Sequence, residues 1–163
     1  MDLTRRGVIM GVLNVTPDSF FDGGTHLDVE RALDRARAMQ AQGADLIDVG
    51  GESTRPGAQL VPEHIELDRI LPIVSVLARE GVLVSVDTMK PAVMREAISA
   101  GAAMINDVRA LRQKGAVEAV AASKVAVCLM HMHGDTRTMQ AAPAYADVVG
   151  EVRDFLIERA IVC

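Results

Sequence analysis

The chain has 163 residues, half of them hydrophobic, and a net charge of −5 from 17 basic and 22 acidic side chains. That length suits a single domain with a sizeable core. The acidic balance excludes non-specific nucleic-acid binding, which needs a basic face to neutralise phosphates. Along the chain, short apolar runs alternate with longer segments of helical periodicity. The runs are Val8–Val15, Ala44–Val49, Val82–Val86, Ala102–Ile105 and Val125–Met130. They lack polar alternation, so they predict strands buried on both faces. After the first run, Asp28 is placed to cap a helix with the stripe Val29, Ala32, Leu33, Ala36 and Met39, and Gly43 stops it. The second helix carries Leu67, Ile70, Leu71, Val74, Leu77 and Ala78 and ends at Gly81, with Pro72 predicted to kink or interrupt it. Pro91 opens a third, with Val93, Met94, Ala97 and Ile98 facing inward and Gly101 as its stop. Val117, Val120 and Ala121 mark a short fourth, and Val148, Val149, Val152, Phe155, Leu156 and Ala160 a fifth.

Five βα units of roughly 30 residues follow, and buried strands joined by helical crossovers imply a parallel α/β sheet. Asn14, Asp48, Asp87 and Asn106 each fall at the C-terminal end of a different run. Such convergence favours a (β/α)8 TIM barrel, whose site is built at that face, over a doubly wound sheet. A barrel takes about 250 residues, so the expectation is a partial barrel of about five units. The five inner strands would leave inward side chains such as Val12, Ile47, Val84 and Met104 without their covering layers. Cys128 lies in an apolar run and Cys163 is the last residue, which suggests no disulfide framework and a reducing compartment. No signal-peptide core follows Met1–Arg6, and no apolar run reaches the ~18 residues of a membrane span. A cytoplasmic protein with no membrane and no nucleic-acid partner is expected.

Four segments carry chemistry. Met10–Phe20 runs an apolar strand into the polar turn Asn14-Val15-Thr16-Pro17-Asp18. Ile47–Gly57 feeds a strand into Gly50-Gly51-Glu52-Ser53-Thr54-Arg55-Pro56, where glycines let backbone N–H groups approach a phosphate and the guanidinium adds planar donors. Ser85-Val86-Asp87-Thr88 and Ile105-Asn106-Asp107 each end a strand in a polar residue.

In this order and spacing, these segments resemble the N-terminal part of the dihydropteroate synthases. The two signature stretches of that family correspond to Gly11–Gly24 and Gly43–Gly57, and Cys128-Leu129-Met130-His131-Met132 matches as well. The resemblance covers essentially the whole chain. It implies that residues 1–163 are the N-terminal part of one pterin-binding barrel domain. The family's later Gly-Phe-Gly-Lys, Ser-Arg-Lys and Arg-x-His segments would lie beyond Cys163. It implies a transferase that joins 6-hydroxymethyl-7,8-dihydropterin pyrophosphate to p-aminobenzoate and releases pyrophosphate, uses Mg²⁺, and forms a homodimer when intact. Asn14 resembles the residue that helps hold Mg²⁺ and pyrophosphate, and Thr54 and Arg55 resemble loop residues that touch the anion. Pro56 and Phe20 resemble walls of the p-aminobenzoate pocket. Asp87 and Asn106 resemble the residues that read the pterin edge, with Val108 and Met130 lining its pocket.

Other polar residues receive plainer readings. Asp107 is assigned a structural turn. Asp48 supports the anion site or braces the loops, and Glu52 is as readily a solvated loop residue. His131 and His133, spaced i and i+2, find no third ligand at metal-site spacing and are treated as structural. Two rivals remain on sequence grounds. One is a methyltetrahydrofolate-binding methyltransferase barrel, which would not need the Ser53–Gly57 run. The other is a non-catalytic half-barrel.

Overall fold

The computed structural model describes residues 7–16, 26–53, 60–134 and 143–163. Among them five strands alternate with five helices: β1 Met10–Asn14, α1 His26–Ala41, β2 Leu46–Gly50, α2 Glu63–Arg79, β3 Val84–Asp87, α3 Pro91–Ser99, β4 Met104–Asp107, α4 Ala116–Ala121, β5 Ala126–Leu129 and α5 Val148–Val162. The strands form one sheet in the order β1-β2-β3-β4-β5, every neighbour parallel. This order decides between the two α/β architectures. A doubly wound sheet reverses its order at a switch point and carries helices on both faces. Here the order never reverses, and right-handed crossovers that all advance one way place their helices on one face. The arrangement is a partial (β/α) barrel, as expected.

The strand side chains divide by parity, because successive residues point to opposite faces. Leu13, Ile47, Val49, Val84, Val86 and Ile105 are buried among Ala36, Ile70, Val74, Leu77, Val93, Met94 and Ala97 of the helix layer. Each fully buried Val, Leu or Ile contributes roughly 1.5–3 kcal/mol, so this face drives folding. The opposite face is only partly covered, with Met10 40% and Val12 56% exposed. This corrects the assignment of Ile47 and Val84 to the interior face. Their rows pack on the helices at 0% exposure, and only Val12 and Met104 of the four named residues point the other way.

Local rules hold at most boundaries. Gly43, Gly81 and Gly101 follow their helices with positive φ, a conformation that favours glycine after a C-cap. Pro91 is the first residue of α3, where its missing N–H costs nothing. Pro72 does not interrupt α2, which runs through it for 17 residues; packing of Ile70, Ile73, Val74 and Leu77 outweighs the lost bond. Helix α1 begins before Asp28, which sits buried in its first turn rather than at the cap. In α4 the buried residues are Ala116, Ala119 and Val120, while Ala121 is exposed. Helix α5 is capped by Asp147, whose side chain accepts from the Gly150 N–H. It buries none of its residues, and Val149 and Ile161 are 74% and 80% exposed.

Candidate functional site

Register brings the predicted polar residues together. Asn14 pairs with Gly50, Gly50 with Asp87, Asp87 with Asn106 and Asn106 with Cys128, a single row across all five strands. Partners in a parallel row share a face, and this row lies on the face away from the helices, at the C-terminal edge. The row beneath it on the same face is Val12, Asp48, Ser85, Met104 and Ala126. Asp48 therefore stands one layer deeper than the strand end assigned to it. Gly50 leaves a gap in the upper row. A Cβ there would stand 3.4 Å from Asn14 Oδ1 and 3.8 Å from Asp87 Oδ2, so amide and carboxylate face each other across it.

Few cations offset the acids on this floor. Asn106 Nδ2 donates to Asp48 Oδ2 at 3.1 Å. Among the described residues, Asp48 Oδ1, Asp87 Oδ1 and the Ser85 hydroxyl are buried without a partner. Buried polar atoms nearly always find partners, so such a group points to an unsatisfied site for a donor. Burial, followed by the charges of Asp48, Asp107, Glu66 and Glu52, pushes the Asp87 carboxyl up to about 7. Burial, then Asp48 and Asp87, also pushes up the Cys128 thiol across the row. A ligand edge of N–H donors would relieve this cost, because bonds to a carboxylate are charge-assisted.

Beside Asp87 a small pocket is lined by Glu52, Glu66, Thr88, Met89 and Val108. Val108, 8% exposed, is one of its walls. Met130 follows β5 half-buried, its N–H directed at the Asp107 carbonyl. Asp107 is structural, as read. Its carboxylate accepts from Arg109 N at 2.8 Å and Leu111 N at 2.9 Å, shaping a turn in which Ala110 and Leu111 have positive φ. His131 and His133 both pack on the Tyr145 ring, and His131 meets Phe155 edge-on at 5.0 Å. No group of three metal-ligating side chains occurs among the described residues. Phe20, Thr54, Arg55 and Pro56 lie outside the described residues.

One constellation escaped sequence reasoning. Lys90 Nζ bridges Glu52 and Glu66, whose side chains are 6% and 1% exposed. Glu52 is not a solvated loop residue. It is buried, and its carboxylate also accepts from Val61 N at 2.9 Å. Burial raises the Glu66 pKa against the lowering effect of Lys90 and Thr88. A signal was available: Glu66 falls one turn before Ile70 in the inward stripe of α2, where a charge demands a partner. Gly51 belongs to the same packing, since a Cβ there would come within 2.8 Å of Ile70 Cγ2.

Residues 10–163 match the pterin binding enzyme family. The dihydropteroate synthase of Escherichia coli K12 is 53% identical over 156 residues, 95% of this chain and 55% of that protein. That of Haemophilus influenzae is 47% identical over 156 residues, 95% of this chain and 57% of that protein. Among solved structures, Burkholderia cenocepacia dihydropteroate synthase complexed with 7,8-dihydropteroate superposes with a TM-score of 0.84 at 49% identity, covering 96% of this chain and 53% of that one. Xanthomonas albilineans dihydropteroate synthase with 4-aminobenzoic acid gives 0.84 at 54% identity, covering 95% and 55%. The chain therefore spans about half the length of the relatives it matches.

Proposed function

Because the chain belongs to the pterin binding enzyme family, we propose that it forms the pterin-reading half of a dihydropteroate synthase. The reaction joins the amine of p-aminobenzoate to the methylene of 6-hydroxymethyl-7,8-dihydropterin pyrophosphate. A C–N bond forms as the C–O bond to pyrophosphate breaks, and the amine gives up a proton. The observation that carries the reading is the row Asn14-Gly50-Asp87-Asn106, with a buried, partnerless Asp87 oxygen in its floor. A dihydropterin presents a guanidine-like edge of N–H donors beside a carbonyl. Asp87 accepts from that edge and Asn106 reads the neighbouring atoms, while Val108 and Met130 wall the ring. Thr54 and Arg55 touch the pyrophosphate, and Pro56 and Phe20 bound the p-aminobenzoate. The names of the relatives support a synthase over a methyltetrahydrofolate-binding barrel.

The departing pyrophosphate carries the charge that develops in the transition state, so catalysis rests on donors aimed at it. The residues present fit Mg²⁺ in one respect. Asn14 Oδ1 points into the gap beside Gly50, and Mg²⁺ near phosphates takes few protein oxygens and keeps waters. Bound there, the ion would neutralise charge on the leaving group. The decisive experiment extends the chain to the length of its relatives and assays pyrophosphate release with both substrates. Release that vanishes in Asp87→Asn supports the reading. A folded extended protein with no release, or with unchanged pterin affinity in Asp87→Asn, overturns it.

A further inference from the structure

We propose that Asp48 is a positioning residue that fixes the sense of the Asn106 side-chain amide beside Asp87. The inference deepens the pterin reading and rests on it only for the identity of the ligand. Asp48 sits mid-strand in β2, 4% exposed, between Val12 and Ser85 in the lower inward row. A carboxylate at that depth costs desolvation, and among the described residues no cation forms an ion pair with it. What it does hold is Asn106, whose Nδ2 donates to Oδ2 at 3.1 Å. The two ends of an Asn amide have nearly the same shape, and a hydroxyl or amide neighbour would tolerate either. An ionised carboxylate accepts only, so it selects the nitrogen end. With Nδ2 engaged by Asp48, the carbonyl arm of Asn106 is the end left free to accept from a ligand, in the same row as the Asp87 carboxylate. Together they offer two acceptors in a row, which selects ligands carrying contiguous N–H donors and rejects those carrying lone pairs there.

The same carboxylate acts on charge as well as orientation. The groups facing Asp87 are Asp48 on β2, Glu52 after it, Glu66 on α2, Asp107 on β4 and Cys128 on β5. Lys90, beyond β3, is engaged by Glu52 and Glu66. Of the neighbouring carboxylates, Asp48 weighs most on Asp87, and it also weighs first on Cys128. The thiol is therefore a built-in reporter of whether position 48 is charged.

The test uses the chain extended to the length of its relatives, with every cysteine other than Cys128 replaced by Ser, as parent, Asp48→Asn and Asp48→Ala. Exchange of the Asn106 side-chain NH₂ is followed by NMR, its signal assigned by loss in Asn106→Ala. Asp48→Ala should speed that exchange at least ~10-fold, the loss expected for a hydrogen bond to a charged group. Asp48→Asn retains an acceptor oxygen and should restore much of the protection. Alkylation of Cys128 against pH should show a thiol pKa lowered in both variants. A brace for packing alone would leave the thiol titration unmoved in the near-isosteric Asp48→Asn. Unchanged Asn106 exchange in a folded Asp48→Ala, or an unchanged Cys128 titration in Asp48→Asn, overturns the proposal. If Asp48→Ala does not fold, the Asn variant still decides through Cys128. Titration of 6-hydroxymethylpterin into the parent separates the two levels: absence of binding there counts against the pterin reading and leaves the Asp48–Asn106 result standing.

Discussion

Replacing Asp87 by Asn should stabilise the ligand-free protein above neutrality while removing its capacity to bind a pterin. The Asp87 carboxyl is pushed up to about 7 from an ordinary 3.8, by burial first and then by Asp48, Asp107, Glu66 and Glu52. Moving the carboxyl from 3.8 to about 7 is worth ~4 kcal/mol between the two protonation states. The sign follows from proton counts. Between about pH 4 and pH 7 the folded state holds this proton and the unfolded state has released it. Stability therefore falls as pH rises through that window, and the penalty is complete above pH 7. Asn mimics the neutral acid and carries no such penalty. Its advantage over Asp should grow by about 2–3 kcal/mol between pH 4.5 and pH 8, the range allowing for the partial access of water to Asp87. Urea unfolding of parent and variant, followed by far-UV circular dichroism at several pH values, measures this directly. Pterin affinity measured by calorimetry should move the opposite way, with a loss of about 2–5 kcal/mol. A stability difference that is flat with pH, or that shrinks as pH rises, would refute the claim that Asp87 is held in the fold at a cost.

Lys90→Met should destabilise the fold by about 3–5 kcal/mol, because it leaves Glu52 and Glu66 buried without a cation. Adding Glu66→Gln should recover part of that loss in thermal unfolding, and no recovery would mean the cluster is not electrostatic. In the extended protein, Arg55→Ala should weaken pyrophosphate more than a plain pterin, and Lys at that position should rescue only part, lacking the planar fork. Equal loss for both ligands in calorimetry would argue for a folding defect. The 163-residue chain on its own should self-associate and give no pyrophosphate release. Its edge strand β1 exposes Met10 and Val12 at 40% and 56%, and Ile9 just before it is 59% exposed; unpaired apolar edges are templates for pairing. A monodisperse monomer by light scattering with normal turnover would contradict both parts.

Much of this architecture was legible because the sequence signals were redundant. Each helix-facing strand residue, each inward helical stripe and each glycine stop argued for the same five units. Strand ends were less so: the first four runs were read as starting two residues early and the fifth one residue early. Hydrophobicity marks the buried core of a strand, whereas pairing continues into Asp87 and Asn106, whose side chains belong to the other face. The same blind spot put Ile47 and Val84 on the wrong face, since a run apolar throughout does not announce its parity. Asp87 and Asn106, singled out by resemblance, are paired by register, and Val108 lines the small pocket beside Asp87. Lys90, Glu52 and Glu66 were missed because their meeting depends on three separate elements, and only Glu66, charged within an apolar stripe, left a local trace.

Parity also explains how the sheet tolerates its acids. Residues of one parity, such as Val49, Val84, Val86 and Ile105, are fully enclosed by the helix layer. At roughly 1.5–3 kcal/mol for each such side chain, two or three of them offset the ~4 kcal/mol attached to an ionised Asp87. Residues of the other parity are then free to be unfavourable for folding. They need only be held rigidly, and a strand in the middle of a five-stranded parallel sheet holds them so. That is why the carboxylates sit on β2 and β3, which have neighbours on both sides, and the exposed Val12 sits on the edge strand β1. A donor-bearing ligand that bound over Asp87 would recover on binding what the fold gives up there. Affinity and pH-dependent instability are thus two readings of one unpartnered carboxylate, and a substitution that removes one should remove the other.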